Sequence, residues 1–268
     1  MNTEPRNDKM LILAGKGVSP GLAKGKVFVY RNILQPSAEL CEIDRDQIDE
    51  EQARIEKAID DVQRSLTIDA QQIEGQLGKE SADIFRAQEA ILCSSSVVDQ
   101  LKKTLELKQI NAEAVVKKVF KFLARRFTDM SDEALRDRGD DIEDLSRRLL
   151  LSLAGTHAHS LENLPANTVL VADRLLPSDT VFLSCSSTVA VLAEFASPAA
   201  HATLLTREIG IPCVGGISKL LETIYTGDIV LVNGTEGTAV INPDSRSLQR
   251  YENSLDEVRK CNETRVQE

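Results

Sequence analysis

A chain of 268 residues with 42% hydrophobic side chains has room for two domains and a buried core, while 4% aromatic content and no tryptophan argue against stacking platforms for bases or sugars. A net charge of −10 repels nucleic acid and suits a basic protein partner. Five widely spaced cysteines without a Cys-x-x-Cys pair fit reduced thiols; with no signal-like or membrane-spanning apolar run, a soluble cytoplasmic protein without membrane insertion is expected.

Residues 10–35 carry short apolar runs punctuated by glycine, and Lys26–Tyr30 reads as a strand with Val27 and Val29 on one face. From about residue 38 to 154 the chain is charged, poor in glycine and free of proline. Ile48, Ile55, Ile59, Val62 and Leu66 fall on one stripe of a long helix. A second apolar set comprises Ile84, Phe85, Ile91 and Leu92. Val115, Val119, Phe120, Leu123 and Phe127 mark another helix, with Asn111 placed to cap it. Ile142, Leu145, Leu149 and Leu153 mark the last, closed by Gly155. This block predicts a helical bundle.

Beyond residue 160, Thr168–Ala172, Thr188–Leu192, Asp228–Val232 and Thr238–Ile241 are short β-branched runs between turn residues. Strands at both ends with helices between them predict one α/β domain interrupted by a helical insertion. From Ser245 the chain is charged and reads as a connecting helix or frayed tail.

Of three histidines, His201 stands in Ser197-Pro198-Ala199-Ala200-His201. Ser-Pro is a helix-start signal, which makes Ser197 the N-cap and puts His201 near the fourth helical position. Small neighbours leave the imidazole accessible. A helix amino terminus favours a phosphoryl dianion and disfavours imidazolium, leaving a neutral ring nitrogen for in-line attack on phosphorus. An isolated histidine in a helix's first turn is more often an ordinary polar residue, so the surrounding sequence has to decide.

Four ordered segments do so. Gly15–Lys26 (GKGVSPGLAKGK), Val169–Thr180 (VLVADRLLPSDT), Ser197–Gly216 (SPAAHATLLTREIGIPCVGG) and Gly227–Pro243 (GDIVLVNGTEGTAVINP) resemble, in the same order, segments of Enzyme I. This is the phosphoenolpyruvate-protein phosphotransferase of the bacterial sugar phosphotransferase system. The resemblance implies an α/β phosphohistidine (swivelling) domain, residues 1–36 with 158–244, and an inserted all-α four-helix subdomain, residues 37–157. Residues 245–268 would lead toward a carboxy-terminal barrel. It implies further that His201 is phosphorylated on Nε2 and that Thr180 bonds the other ring nitrogen. The helical subdomain would dock the phosphocarrier protein HPr through Glu80, Asp83, Gln88 and Ile91.

In the complete family enzyme phosphoenolpyruvate is the donor and Mg2+ is bound on the barrel, where dimerisation also resides. No cofactor or metal is therefore expected in this portion, which should be a monomer that exchanges phosphoryl with phospho-HPr only. The sequence departs from the family where Ala196-Ser197 replaces a glycine pair, Ala199-Ala200 replaces Thr-Ser, Gln88 replaces a histidine, and Cys93-Ser94-Ser95-Ser96 replaces an acidic run. The mobile domain of a dikinase-like enzyme, and a catalytically weak regulatory or interaction protein on the same fold, are the alternatives. Arg207 matches the family's arginine but lies six residues beyond His201, on a different helical face.

Other signals are discounted. His157-x-His159 lacks neighbouring metal ligands. Gly15, Gly17, Gly21 and Gly25 are not followed by the Gly-Lys-Ser/Thr of a nucleotide loop. Acidic Asp137–Asp144 reads as a solvated helix face, with Gly139 as a break.

Overall fold

A computed structural model describes residues 9–30, 40–128, 138–155, 161, 164–197 and 200–254. Three strands open the chain: β1 (Leu11–Ala14), β2 (Lys16–Ser19) and β3 (Leu22–Tyr30). Five helices then follow, α1 (Ile48–Leu77), α2 (Lys79–Leu92), α3 (Ser95–Lys108), α4 (Ala112–Thr128) and α5 (Arg138–Leu153). The chain returns through β4 (Thr168–Ala172), α6 (Pro177–Cys185), β5 (Thr188–Ala193), α7 (His201–Ile209), β6 (Cys213–Gly215), α8 (Leu220–Thr223), β7 (Ile229–Asn233) and β8 (Thr238–Ile241). The helical subdomain is thus inserted between β3 and β4 of a mixed α/β domain, as the alternation of textures predicts.

The apolar stripe of α1 is buried at Ile55, Ile59, Val62 and Leu66 and runs on through Ala70 and Ile73. That spacing of three and four keeps one face of a 30-residue helix against the bundle. Phe85, Leu92, Leu101, Leu105, Phe120, Ile142, Leu145 and Leu149 complete the core, which α6 and α7 join through Val181 and Leu205. Where the resemblance implies four helices, the described residues hold five. One boundary is Ser94, whose side chain caps α3 by accepting from the Val97 N–H at 3.4 Å. The serine run that replaces acidic residues in this segment is therefore a helix start. Gly155 ends α5 as expected, with φ 66°. Gly139 does not break α5, which runs through it from Arg138.

Eight strands form one sheet in the order β1-β8-β7-β3-β4-β5-β6-β2, with β3, β4, β5 and β6 mutually parallel and the other pairs antiparallel. β4 is buried along its whole length, Val169 and Val171 packing on one face and Leu170 and Ala172 on the other. Only Gly15 separates β1 from β2, yet these strands occupy opposite ends of the order, so the sheet must curl to bring its ends together. A Cβ at Gly15 would lie 2.5 Å from the Gly215 carbonyl oxygen, so the close approach requires glycine.

Candidate active site

α7 begins at His201 itself, not at Pro198. Ala200 is extended (φ −61°, ψ 137°) and its N–H bonds the Ser197 carbonyl at 3.1 Å, so helical geometry starts after Ala200. Pro198 and Ala199 lie outside the described residues. The imidazole therefore occupies the first helical position, closer to the unpaired amino-terminal N–H groups than the Ser-Pro signal suggests. Its side chain is 20% exposed.

Across the domain seam, His201 Nδ1 lies 3.0 and 2.9 Å from the two carboxylate oxygens of Asp141, on the first turn of α5. An ionised carboxylate only accepts hydrogen bonds, so Nδ1 is the donor, and in the neutral ring Nε2 then carries the lone pair. Arg138, one turn earlier, flanks the same carboxylate at 3.7 Å. The resemblance assigns the ring's orienting bond to Thr180. In this structure Thr180 is fully buried in α6 and donates its hydroxyl to the Pro177 carbonyl at 2.6 Å, leaving Asp141 as the partner of Nδ1.

Asp141 and Asp144 correct the reading of Asp137–Asp144 as a solvated face, because both are buried. Asp144, Arg147 and Arg148 follow Asp141 at helical spacing, so a polar stripe runs beside the apolar one along α5. Arg147 Nη2 lies 3.0 Å from both Asp144 Oδ1 and Asp179 Oδ1, and Nη1 donates to the Tyr30 hydroxyl at 3.1 Å. Ser178 accepts from Arg147 and gives its own hydroxyl to Asp144 at 2.5 Å. Burial works against the Arg147 charge, but Asp179 and Asp144 outweigh it and hold the guanidinium pKa above its ordinary value. Tyr30, Ser178 and Asp179 belong to the α/β domain and Asp144 and Arg147 to the inserted one, so this cluster pins the two together behind His201.

Gln88 joins this interior instead of a docking face. It is 1% exposed, and its Nε2 donates to the Asp141 carbonyl and to Asp144 Oδ2, both at 3.3 Å. Ile91 is half-buried against the bundle core, and Leu92 is wholly core. Glu80 and Asp83 are exposed on α2, where Asp83 pairs with Arg86 at 2.7 Å. Arg207 clamps the Val18 carbonyl through Nε and Nη2 at 3.1 and 3.0 Å, an anchor between α7 and β2. His157 and His159 lie outside the described residues, among which no group of three or more His, Cys, Asp and Glu is arranged to hold a metal ion. No described helix is long and apolar enough to cross a membrane.

Two family models match: the N-terminal region of PEP-utilising enzymes over residues 14–138, and the PEP-utilising enzyme mobile domain over 164–237. Phosphoenolpyruvate-protein phosphotransferases of Streptococcus equinus and Enterococcus faecalis are 28% and 26% identical, each over 90% of this chain. The chain spans 41% and 42% of their respective lengths. An NMR solution structure of Enzyme I superposes with a TM-score of 0.72 at 25% identity, covering 92% of this chain and 99% of that one. The N-terminal domain of Enzyme 1 – Nitrogen shares the fold, with a TM-score of 0.60 at 23% identity over 91% of this chain and 99% of its own.

Proposed function

This chain belongs with the Enzyme I amino-terminal domains, homologous to them over 90% of its length, and from that premise we propose that His201 Nε2 reversibly accepts a phosphoryl group from a phosphorylated carrier protein. The observation that supports this most directly is the Asp141 bond to Nδ1, which leaves the Nε2 lone pair available for attack.

In the step we envisage, the donor is a phosphoimidazole protonated on its other nitrogen. The Nε2 lone pair of His201 forms the new N–P bond, and the electrons of the breaking N–P bond return to the donor ring, which leaves as neutral imidazole. His201 gains the positive charge of an imidazolium while keeping its Nδ1 proton. Asp141 stands against that proton and compensates the charge as it develops. The amino terminus of α7 supplies a favourable field for the dianion. Nothing in this transfer requires the magnesium that the resemblance places on the following barrel.

The carrier we propose is HPr, by homology, in a cytoplasmic setting. Its docking surface would be the exposed acidic side of α2 at Glu80 and Asp83, bordered by Ile91. With Gln88 turned inward, this face relies on charge and steers a basic partner electrostatically. Incubation with phospho-HPr should place an acid-labile phosphate on His201, and His201→Ala should take up none. The replacement of Thr-Ser by Ala199-Ala200 favours a second reading, a weakly active interaction protein on the same fold. That protein would bind phospho-HPr without acquiring the phosphate.

A further inference from the structure

A cleft of about 380 Å3 opens beside the amino terminus of α7. Its walls include Arg174, Phe195, Ser197, Ala200 and Thr203, so His201 lies in the chain between two lining residues. Arg174 follows β4 and is one-third exposed. Its Nη1 lies 3.1 Å from Asp140 Oδ1 and 3.4 Å from Glu143 Oε2, with the guanidinium 5.5 Å from the Phe195 ring centre. His201 is held by Asp141 and Arg174 by Asp140, so the ring and the guanidinium meet consecutive residues of one helical turn.

We propose that Arg174 is the cation that binds the phosphoryl group once it is on His201. In the bare protein the guanidinium is parked on Asp140 and Glu143. When Nε2 carries a dianion, Arg174 exchanges those carboxylates for phosphoryl oxygens, which its planar fork of N–H donors fits in pairs. Two features support the exchange. The cleft places the arginine and the first turn of α7 around one open space, and Arg174 is far less enclosed than Arg147, whose side chain is 3% exposed. The segment before His201 also carries no hydroxyl at Ala199 or Ala200, so neither position adds a side-chain donor to the amino-terminal N–H groups of α7.

This inference rests on the proposal that His201 is phosphorylated, and one experiment separates the two. The 268-residue chain and its Arg174→Met, Arg174→Lys and Asp140→Asn variants are equilibrated with a fixed ratio of phospho-HPr to HPr. The phosphorylated fraction of His201 and the 31P resonance of the phosphohistidine are then measured. Arg174→Met should lower the phosphorylation equilibrium constant about tenfold, the scale of one charge-assisted hydrogen bond, and move the 31P resonance. Arg174→Lys should recover part of the loss. Asp140→Asn, which leaves Glu143 as the arginine's one carboxylate of the pair, should raise the constant. Parental values in Arg174→Met, or a fall in both Arg174→Met and Asp140→Asn, would overturn the role of Arg174 while leaving His201 as acceptor. No phosphate on the parent's His201 would overturn both.

Discussion

Among the described residues, α5 makes two polar bridges to the α/β domain, and they differ in kind. The inner one, Asp144–Arg147–Asp179 with Tyr30 and Ser178, is enclosed and bonded on several sides. The outer one, His201–Asp141 with Arg174–Asp140 beside it, opens to solvent and a cleft. A charge cluster that has lost its water contributes little net attraction over an apolar replacement, but it tolerates one geometry only, and removing a single member strands the others. In the outer bridge the Arg174–Asp140 pair, about one-third exposed, can exchange partners at modest cost. Orientation and chemistry are thereby divided between neighbouring turns of one helix.

The largest expected effect breaks the inner bridge. Asp144→Ala leaves the Arg147 charge with fewer partners in a buried site and should cost about 3–5 kcal/mol in urea unfolding. Asp141→Asn tests the outer bridge and should cost less stability than Asp144→Ala, because the amide keeps the shape and an oxygen acceptor for the imidazole. It should slow phosphoryl uptake from phospho-HPr about 10- to 100-fold, as expected for losing one hydrogen bond to a charged group. If Asp141→Asn unfolds the protein while Asp144→Ala merely slows transfer, the division is wrong.

Alkali probes the cleft wall next to the outer bridge. Burial pushes the Cys213 thiol from its ordinary value of 9.0 up to about 12. Between these limits the unfolded chain has released the proton and the folded one retains it, so the native state binds more protons and stability falls as pH rises. The slope should approach about 1.4 kcal/mol per pH unit between pH 9 and 12, and Cys213→Ala should flatten it. Thiol reagents at pH 8 should reach the exposed Cys41, Cys93 and Cys185 well before Cys213. The smallest effect is on the surface: Asp83→Asn should slow association with HPr a few-fold at low salt and leave urea unfolding unchanged.

Much of this architecture was legible in advance. The α1 stripe from Ile55 to Leu66, the strands at Thr168–Ala172 and Thr238–Ile241, and Gly155 as a stop all lie where periodicity and turn chemistry put them. The segment singled out His201 but not its helical position, because Ser-Pro describes a preference and Ala200, extended, is the residue that precedes the helix. Gln88 and Asp141 were misplaced for a common reason. A polar residue on a helix is assigned to solvent unless a partner from elsewhere is known, and both partners lie more than 50 residues away in the chain. The one available sign was the spacing of Asp141, Asp144 and Arg147 beside the core positions of α5.

Local preference, carried by three- and four-residue repeats, β-branched runs and glycines, was enough to determine most elements of this protein and their order, while His201 was singled out by the resemblance of its segment. Only the docking of the helical insertion decided which carboxylate meets the imidazole, which arginine is sealed in and which is left at a cleft. Burial and ion pairing depend on surfaces that become neighbours after folding, and no local propensity encodes the distance between residues 141 and 201.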